Sequence, residues 1–177
     1  MRIISGKFKR KKLLTPRNQT IRPTADKHRE SLFNILTNNI SGATVLDLFA
    51  GTGAMGIEAI SRGAQFVVFI DKDIRLLMEN IKRLNIDNET QVIRWDIFRN
   101  LSCIKGKFFD IIIMDPPYRD KHIEKTLYHL MDSQCIKTET VIVAEHSVRD
   151  DILIPEGLER YESRHYGKTQ FSFLRLQ

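Results

Sequence analysis

Residues 45–59 read VLDLFAGTGAMGIEA. The stretch is strand-like up to Leu48, Gly51, Gly53 and Gly56 satisfy G-x-G-x-x-G, and a helical pattern opens after Gly53. Alone, the glycines say only that a helix is brought tightly against a strand, which any sharp turn without Cβ atoms allows. The surroundings add to this. Asp71 closes the next apolar run, 20 residues after Gly51, where a carboxylate can accept hydrogen bonds from ribose hydroxyls. Outward from this unit, apolar runs at 44–48, 66–70, 91–94, 109–114 and 140–144 alternate with helical stretches. Two stretches carry an apolar face: Ile74, Leu77, Met78 and Ile81, then Ile123, Leu127, Leu130 and Met131. Nearly all-apolar strands separated by helices predict an α/β fold with a mostly parallel sheet covered on both faces. Near the end, 159–165 and 170–176 flank Tyr166-Gly167-Lys168-Thr169, the pattern of an antiparallel hairpin.

Asp47 bears on the ligand, since it lies four residues before Gly51. A pyrophosphate is repelled by a nearby carboxylate, whereas the ammonium and sulfonium of S-adenosylmethionine are attracted by one. The DxFxGxG form, with Phe49 at its third position, favours the methyl donor over a dinucleotide. Asp96, after the third apolar run, reads equally as an acceptor for an adenine amino group or as the N-cap of a short helix. Trp95 beside it either borders that adenine pocket or packs the sheet edge. Asp115-Pro116-Pro117-Tyr118 follows the run FFDIIIM, and two prolines cannot continue a strand. At the carboxyl edge of a central strand, where open α/β sheets bind ligands, such a turn can do chemistry. An exocyclic amino group on a nucleobase is a poor nucleophile, because its lone pair is delocalised into the ring. The Asp115 carboxylate and the Pro116 carbonyl can take its two N–H groups and turn the lone pair toward a methyl, the prolines holding the geometry in advance. Tyr118 supplies a ring on which a displaced base stacks.

A length of 177 residues fits one domain, and 42% apolar residues suffice for its core. The expected division is a basic extension over 1–40 and one compact unit over 41–177. The longest apolar runs fall far short of the roughly 18 residues of a membrane span, and the amino end lacks the apolar stretch of a secretory signal. A cytoplasmic location is expected. Cys103 and Cys135 lie apart without a metal-binding partner pattern, so two buried inert thiols and no metal site are expected. His28, His122, His129, His146 and His165 show no ligand spacing and read as surface or helix-packing residues; Glu145-His146, after the fifth strand, could line the site but reads better as a loop. The net charge of +6 is unevenly spread: residues 1–30 hold ten basic and two acidic side chains, the remainder 18 and 20. Ile3, Ile4, Phe8, Leu13 and Leu14 interleave with those charges, which predicts a basic hairpin turning at Ser5-Gly6 and suited to a phosphate backbone. A helix is expected next, capped by Thr24, packed through Ala25, Leu32, Ile35 and Leu36, and stopped at Asn38-Asn39.

With these motifs in order, the chain resembles the class I S-adenosylmethionine-dependent amino-methyltransferases, and within them the bacterial RsmD family of small-subunit ribosomal RNA guanine-N2 methyltransferases. The likeness runs through RIISGKFKRKKL, IRPTADKHRESLFNIL, DLFAGTGAMGIEA, IDKD, DPPY and YGKTQFSFLRL. It implies a Rossmann-like class I fold of seven strands with a C-terminal antiparallel hairpin, preceded by a small N-terminal hairpin and helix. It also implies cofactor contacts from Asp47, Phe49, Gly51, Gly53, Asp71 and Asp96, and a target guanine held by Asp115, Pro116, Pro117 and Tyr118. RNA contacts would come from Arg2, Lys7, Lys9, Arg10, Lys11, Lys12, Arg22, Thr24 and Arg29. Relatives often carry Phe at the position of Tyr118, and either ring can stack. The implied substrate is 16S ribosomal RNA in the assembled or partly assembled small subunit, with guanine 966 as the family's target. A DNA adenine-N6 methyltransferase shares the core motifs but needs a recognition region for which this length leaves little room. A non-catalytic RNA-binding protein on the same scaffold is the other alternative, and a nicotinamide enzyme leaves Asp47 and DPPY unexplained.

Overall fold

The computed structural model describes residues 1–16, 23–117 and 122–177. Seven strands, β1 (Thr44–Leu48), β2 (Phe66–Asp71), β3 (Thr90–Arg94), β4 (Phe109–Met114), β5 (Ile136–Ser147), β6 (Leu158–Tyr166) and β7 (Thr169–Leu176), form one sheet in the order β3-β2-β1-β4-β5-β7-β6. Pairing is parallel from β3 through β5, and β7 runs antiparallel to both of its neighbours. The helices are α1 (Pro23–Ile35), α2 (Thr37–Ile40), α3 (Ala54–Ser61), α4 (Arg75–Leu84) and α5 (His122–Ser133). None in the described residues is long and apolar enough to cross a membrane. The chain progresses one way from β1 to β3 and the other way from β4, so the carboxyl ends of β1 and β4 flank the point where an open α/β sheet forms its crevice.

Successive strand residues point to opposite faces, and the two faces build separate cores. Val45, Val67, Phe69, Ile111 and Ile113 pack with Ile57, Leu77 and Ile81 of α3 and α4 and with Leu32, Phe33 and Leu36 around α1. Leu46, Val68, Ile112 and Met114 pack with Leu127 and Leu130 of α5. Ile3 and Leu13 are buried in the first of these cores, so the amino-terminal segment shares its apolar interior with the sheet.

That segment makes the expected antiparallel return, with the Ile3 N–H on the Lys11 carbonyl at 3.0 Å and the Leu13 N–H on the Met1 carbonyl at 3.1 Å. It does so with a single bridge, Arg2 to Lys12, rather than two full strands, and its turn is a stretch of 3₁₀ helix, Gly6–Phe8. The reason lies in where its donors go. The Ile4 and Ser5 N–H groups reach Glu58, and the Phe8 N–H reaches Ser61 Oγ, all on α3. Gly6 rests on the end of that helix, where a Cβ would meet the Ser61 carbonyl oxygen at 1.6 Å. Further differences are local. Thr24 lies inside α1 rather than capping it, α1 ends at Ile35, and α2 carries the chain across Asn38-Asn39. The Thr37 hydroxyl bonds back to the Phe33 carbonyl at that break. On α4 the inward stripe is Leu77, Asn80, Ile81 and Leu84, whereas Met78 is exposed. Cys103 is only half-buried. β5 runs through Glu145 and His146, because pairing with β7 continues the strand past Ala144.

Candidate functional site

The glycine turn is built by close packing. A Cβ on Gly56 would meet the Phe69 ring at 2.3 Å, and one on Gly53, at φ +81°, would meet Leu77 Cδ1 at 2.5 Å. Phe49 also has a positive φ, +62°, a conformation that costs a bulky residue energy and tends to persist at functional sites. Two carboxylates from neighbouring strands fold onto this turn. Asp47 Oδ2 accepts the Gly56 N–H at 2.8 Å in the first turn of α3, and Asp71 accepts the N–H groups of Gly51 at 2.8 Å and Asp73 at 2.9 Å. The buried Asn80 side chain ties the turn to the amino-terminal segment: its amide donates to the Thr52 and Leu14 carbonyls and accepts the Leu14 N–H.

A cavity of about 590 Å³ opens at the carboxyl edge of the sheet, within the size range of cofactor clefts. Of the site residues expected from the sequence, Arg29, Asp47, Phe49, Gly51, Asp71 and Asp115 line it. Gly53 supports the turn from behind. Asp96 does not line it; its carboxylate accepts the Phe98 N–H at 3.0 Å and pairs with Lys72 at 3.1 Å, fastening a turn rather than capping a helix. Trp95 packs against the α5-side core and donates to the Asn100 carbonyl. Pro116 is buried, and His122 Nδ1 contacts the Pro117 carbonyl at 3.2 Å. The rings of Phe49, Phe98 and His122 form a ladder, with centroids 5.3 and 4.1 Å apart, between the glycine turn and α5. Tyr118 and Arg22 lie outside the described residues, as does the side chain of Thr24.

Burial pushes the Asp47 carboxyl up to about 7; the Gly56 N–H opposes this and the nearby Asp115 and Asp71 add to it. Asp115 keeps surface exposed toward the cavity, yet the protein crowded around its carboxyl desolvates it and pushes it up to about 6.

Other cavity residues stand outside the expected site set, although Glu145 reads in the sequence as able to line it. Glu145 lines it from β5, His28 from α1, and Tyr166 to Thr169 from the β6–β7 turn. The His28 and Tyr166 rings lie 5.5 Å apart. The signal was topological: a final strand antiparallel to β5 returns its leading turn to the carboxyl edge, where Ser147 pairs with Thr169. His146 is instead a buried polar residue bonded to Ser172 Oγ at 2.8 Å.

Arg2, Lys7, Lys9, Arg10, Lys11 and Lys12 are exposed on the amino-terminal segment. Lys7 and Lys11 sit 5.0 and 4.9 Å from the centre of the Phe8 ring, and Lys7 pairs with Glu89. Met1 and Pro16, at either end of this segment, border the cavity. Arg29 departs from the group expected to touch RNA. It is only 3% exposed, and its guanidinium donates to the Arg2 carbonyl at 2.6 Å and pairs with Asp26 at 3.1 Å, holding the segment from beneath.

A dinucleotide site has no use for a carboxylate beneath the glycine turn or for Asp-Pro-Pro at the neighbouring strand end, whereas a methyl-transfer site can use both, and the sheet order with its one reversed strand, β7, is that of the class I methyltransferases. Known proteins narrow this further. The family model described as conserved hypothetical protein 95, which is the RsmD family, matches residues 1–175. The ribosomal RNA small subunit methyltransferase D of Buchnera aphidicola (Acyrthosiphon pisum) is 36% identical over 95% of this chain and 89% of its own. The protein of the same name from Escherichia coli K12 is 36% identical over 97% and 87%. Among solved structures, yhhF of Escherichia coli, assigned as a methyltransferase, superposes with a TM-score of 0.88 at 30% identity, covering 100% of this chain and 98% of that one. The chain belongs to the RsmD family.

Proposed function

We propose that this protein transfers a methyl group from S-adenosylmethionine to the exocyclic N2 of a guanine in 16S ribosomal RNA of the small subunit, at the family's position 966, and so acts in the cytoplasm. The observation that carries this reading is that Asp115, the acceptor at the end of β4, opens on the same cavity as Asp47 and Asp71. When bound, the cofactor supplies a methyl already activated by its sulfonium. In this reading Asp71 takes the ribose hydroxyls and Asp47 offsets the cationic amino-acid end. The Asp115 carboxylate accepts one N–H of the target amino group and the Pro116 carbonyl the other, which aims the nitrogen lone pair at the methyl. As the N–C bond forms and the S–C bond breaks, the nitrogen sheds one proton to Asp115 or to solvent. Tyr118 stacks on the base, and the exposed lysines and arginines before Leu13 neutralise backbone phosphates.

This assignment makes cofactor affinity pH-dependent. In the free protein Asp47 is largely protonated below its raised value of about 7, and a cationic ligand favours the carboxylate, so binding releases protons there. Calorimetric titration should find one cofactor bound per chain, with an affinity at about pH 5.5 at least about tenfold weaker than at about pH 8. A flat profile removes Asp47 from the charge pairing, and failure to bind leaves only an RNA-binding scaffold. The same shift has a sign for stability. The folded form holds this proton more tightly than the unfolded chain, so in the ligand-free protein Asp47 opposes folding most above pH 7, and this cost fades as pH falls toward 4.

The RNA assignment is tested by replacing Lys9, Arg10, Lys11 and Lys12 with alanine together. The slope of log affinity against log salt should flatten by about 3, as four lost phosphate contacts predict. An unchanged slope takes this segment out of the interface.

A further inference from the structure

We infer that Glu145 selects guanine as the methylated base by accepting its ring N1–H. The inference rests on the proposed amino-group chemistry and adds to it the part of the base being read. β4 and β5 are parallel, with Met114 in register with Ala144, so Asp115, just past the end of β4, comes beside Glu145 on β5 at about the 4.8 Å spacing of neighbouring strands. Both line the cavity. Guanine presents three N–H bonds along one edge, two on the amino group and one on N1. Asp115 and the Pro116 carbonyl account for the amino pair, and the next carbonyl, that of Pro117, is engaged by His122. A third buried donor without an acceptor would cost the full penalty of a desolvated, unpaired group. The Glu145 carboxylate stands on the neighbouring strand where that acceptor is needed. Adenine offers a lone pair at N1 beside its amino group, and a carboxylate there repels it. The pair of acids thus reads guanine and rejects adenine with the same atoms.

The test compares RNA carrying the target guanine with the same RNA carrying 2-aminopurine at that position, which keeps the 2-amino group but has a lone pair at N1. Wild-type protein should prefer guanine in kcat/KM by about 1,000-fold or more, as expected of a site built around a donor the analogue lacks. Glu145→Gln, whose amide can donate to that lone pair, should narrow this preference by at least about 30-fold while cofactor affinity stays within about twofold. Glu145→Ala, which removes both the acceptor and the repulsion, should lower transfer to guanine and raise transfer to the analogue less than Glu145→Gln does. An unchanged preference in Glu145→Gln overturns the inference and leaves the proposed function standing, because wild-type transfer to guanine persists. Absence of wild-type transfer to guanine N2 overturns both.

Discussion

Asp115→Asn should lower the rate of methyl transfer by about 1,000-fold while leaving cofactor affinity within about threefold of wild type. The asparagine side chain keeps the shape and one acceptor oxygen, but it loses the negative charge that strengthens as the target nitrogen becomes cationic during transfer. That interaction is greatest in the transition state, so the loss falls on kcat rather than on binding. The cofactor side responds in the opposite sense. Asp115 repels Asp47 and helps hold its carboxyl up, so neutralising residue 115 eases ionisation of Asp47 and leaves cofactor binding intact or slightly stronger. Single-turnover rates with saturating cofactor, set beside calorimetric titration, separate the two effects. An equal fall in both would place Asp115 in the cofactor site instead. The wild-type rate itself should drop as pH falls through about 6, where Asp115 takes up a proton and turns from acceptor into donor.

Glu58→Ala should destabilise the fold by about 3–5 kcal/mol, the range for removing one partner of a buried charged group. Glu58 is fully buried in α3, where it accepts hydrogen bonds from the Ile4 N–H at 2.8 Å, the Ser5 N–H at 3.0 Å and Arg62 Nε at 2.8 Å, and stands 3.8 Å from Arg29 Nε as an ion pair beyond hydrogen-bond reach. Alanine leaves two backbone donors and Arg62 Nε without their acceptor and takes one counter-charge from Arg29, which keeps Asp26 and the Arg2 carbonyl. Because Ile3 and Leu13 belong to the same core as Ile57 and Phe33, release of the segment also exposes apolar surface and removes the basic side chains from the cavity rim. Urea unfolding measures the first effect, and RNA affinity at fixed salt measures the second. Glu58→Gln, which keeps an acceptor but not the charge, should fall between. A loss below about 1 kcal/mol in Glu58→Ala would show that the segment is held by its apolar contacts alone.

The parts of this molecule legible in the sequence are those whose signal is local. β1 and β4 match their expected limits to the residue, because central strands buried on both faces are continuous apolar runs with nothing else to be. The glycine turn was legible for a related reason, since each close approach there permits no side chain. The amino-terminal segment was harder because its partners are distant: Ile4 and Ser5 bond to a residue more than 50 positions away, and no local pattern announces that. Arg29 illustrates the same limit. As one charge in a basic stretch it reads as a phosphate contact, whereas its burial beneath Arg2 depends on how α1 packs. Glu145 and His146 read as loop because Glu-His-Ser is polar; their strand character comes from pairing with Phe171 and Gln170 of β7. The turn from Tyr166 to Thr169 was legible as a turn, but its place on the cavity follows only from sheet order.

The most direct measurement is transfer of a labelled methyl group from S-adenosylmethionine to unmodified small ribosomal subunits, with the protein-free RNA and duplex DNA in parallel, followed by nucleoside analysis of the product. The proposed function gives N2-methylguanosine from the subunit RNA, lost in Asp115→Asn. N6-methyladenine in the DNA, or no transfer to any of the three despite tight RNA binding, would contradict it.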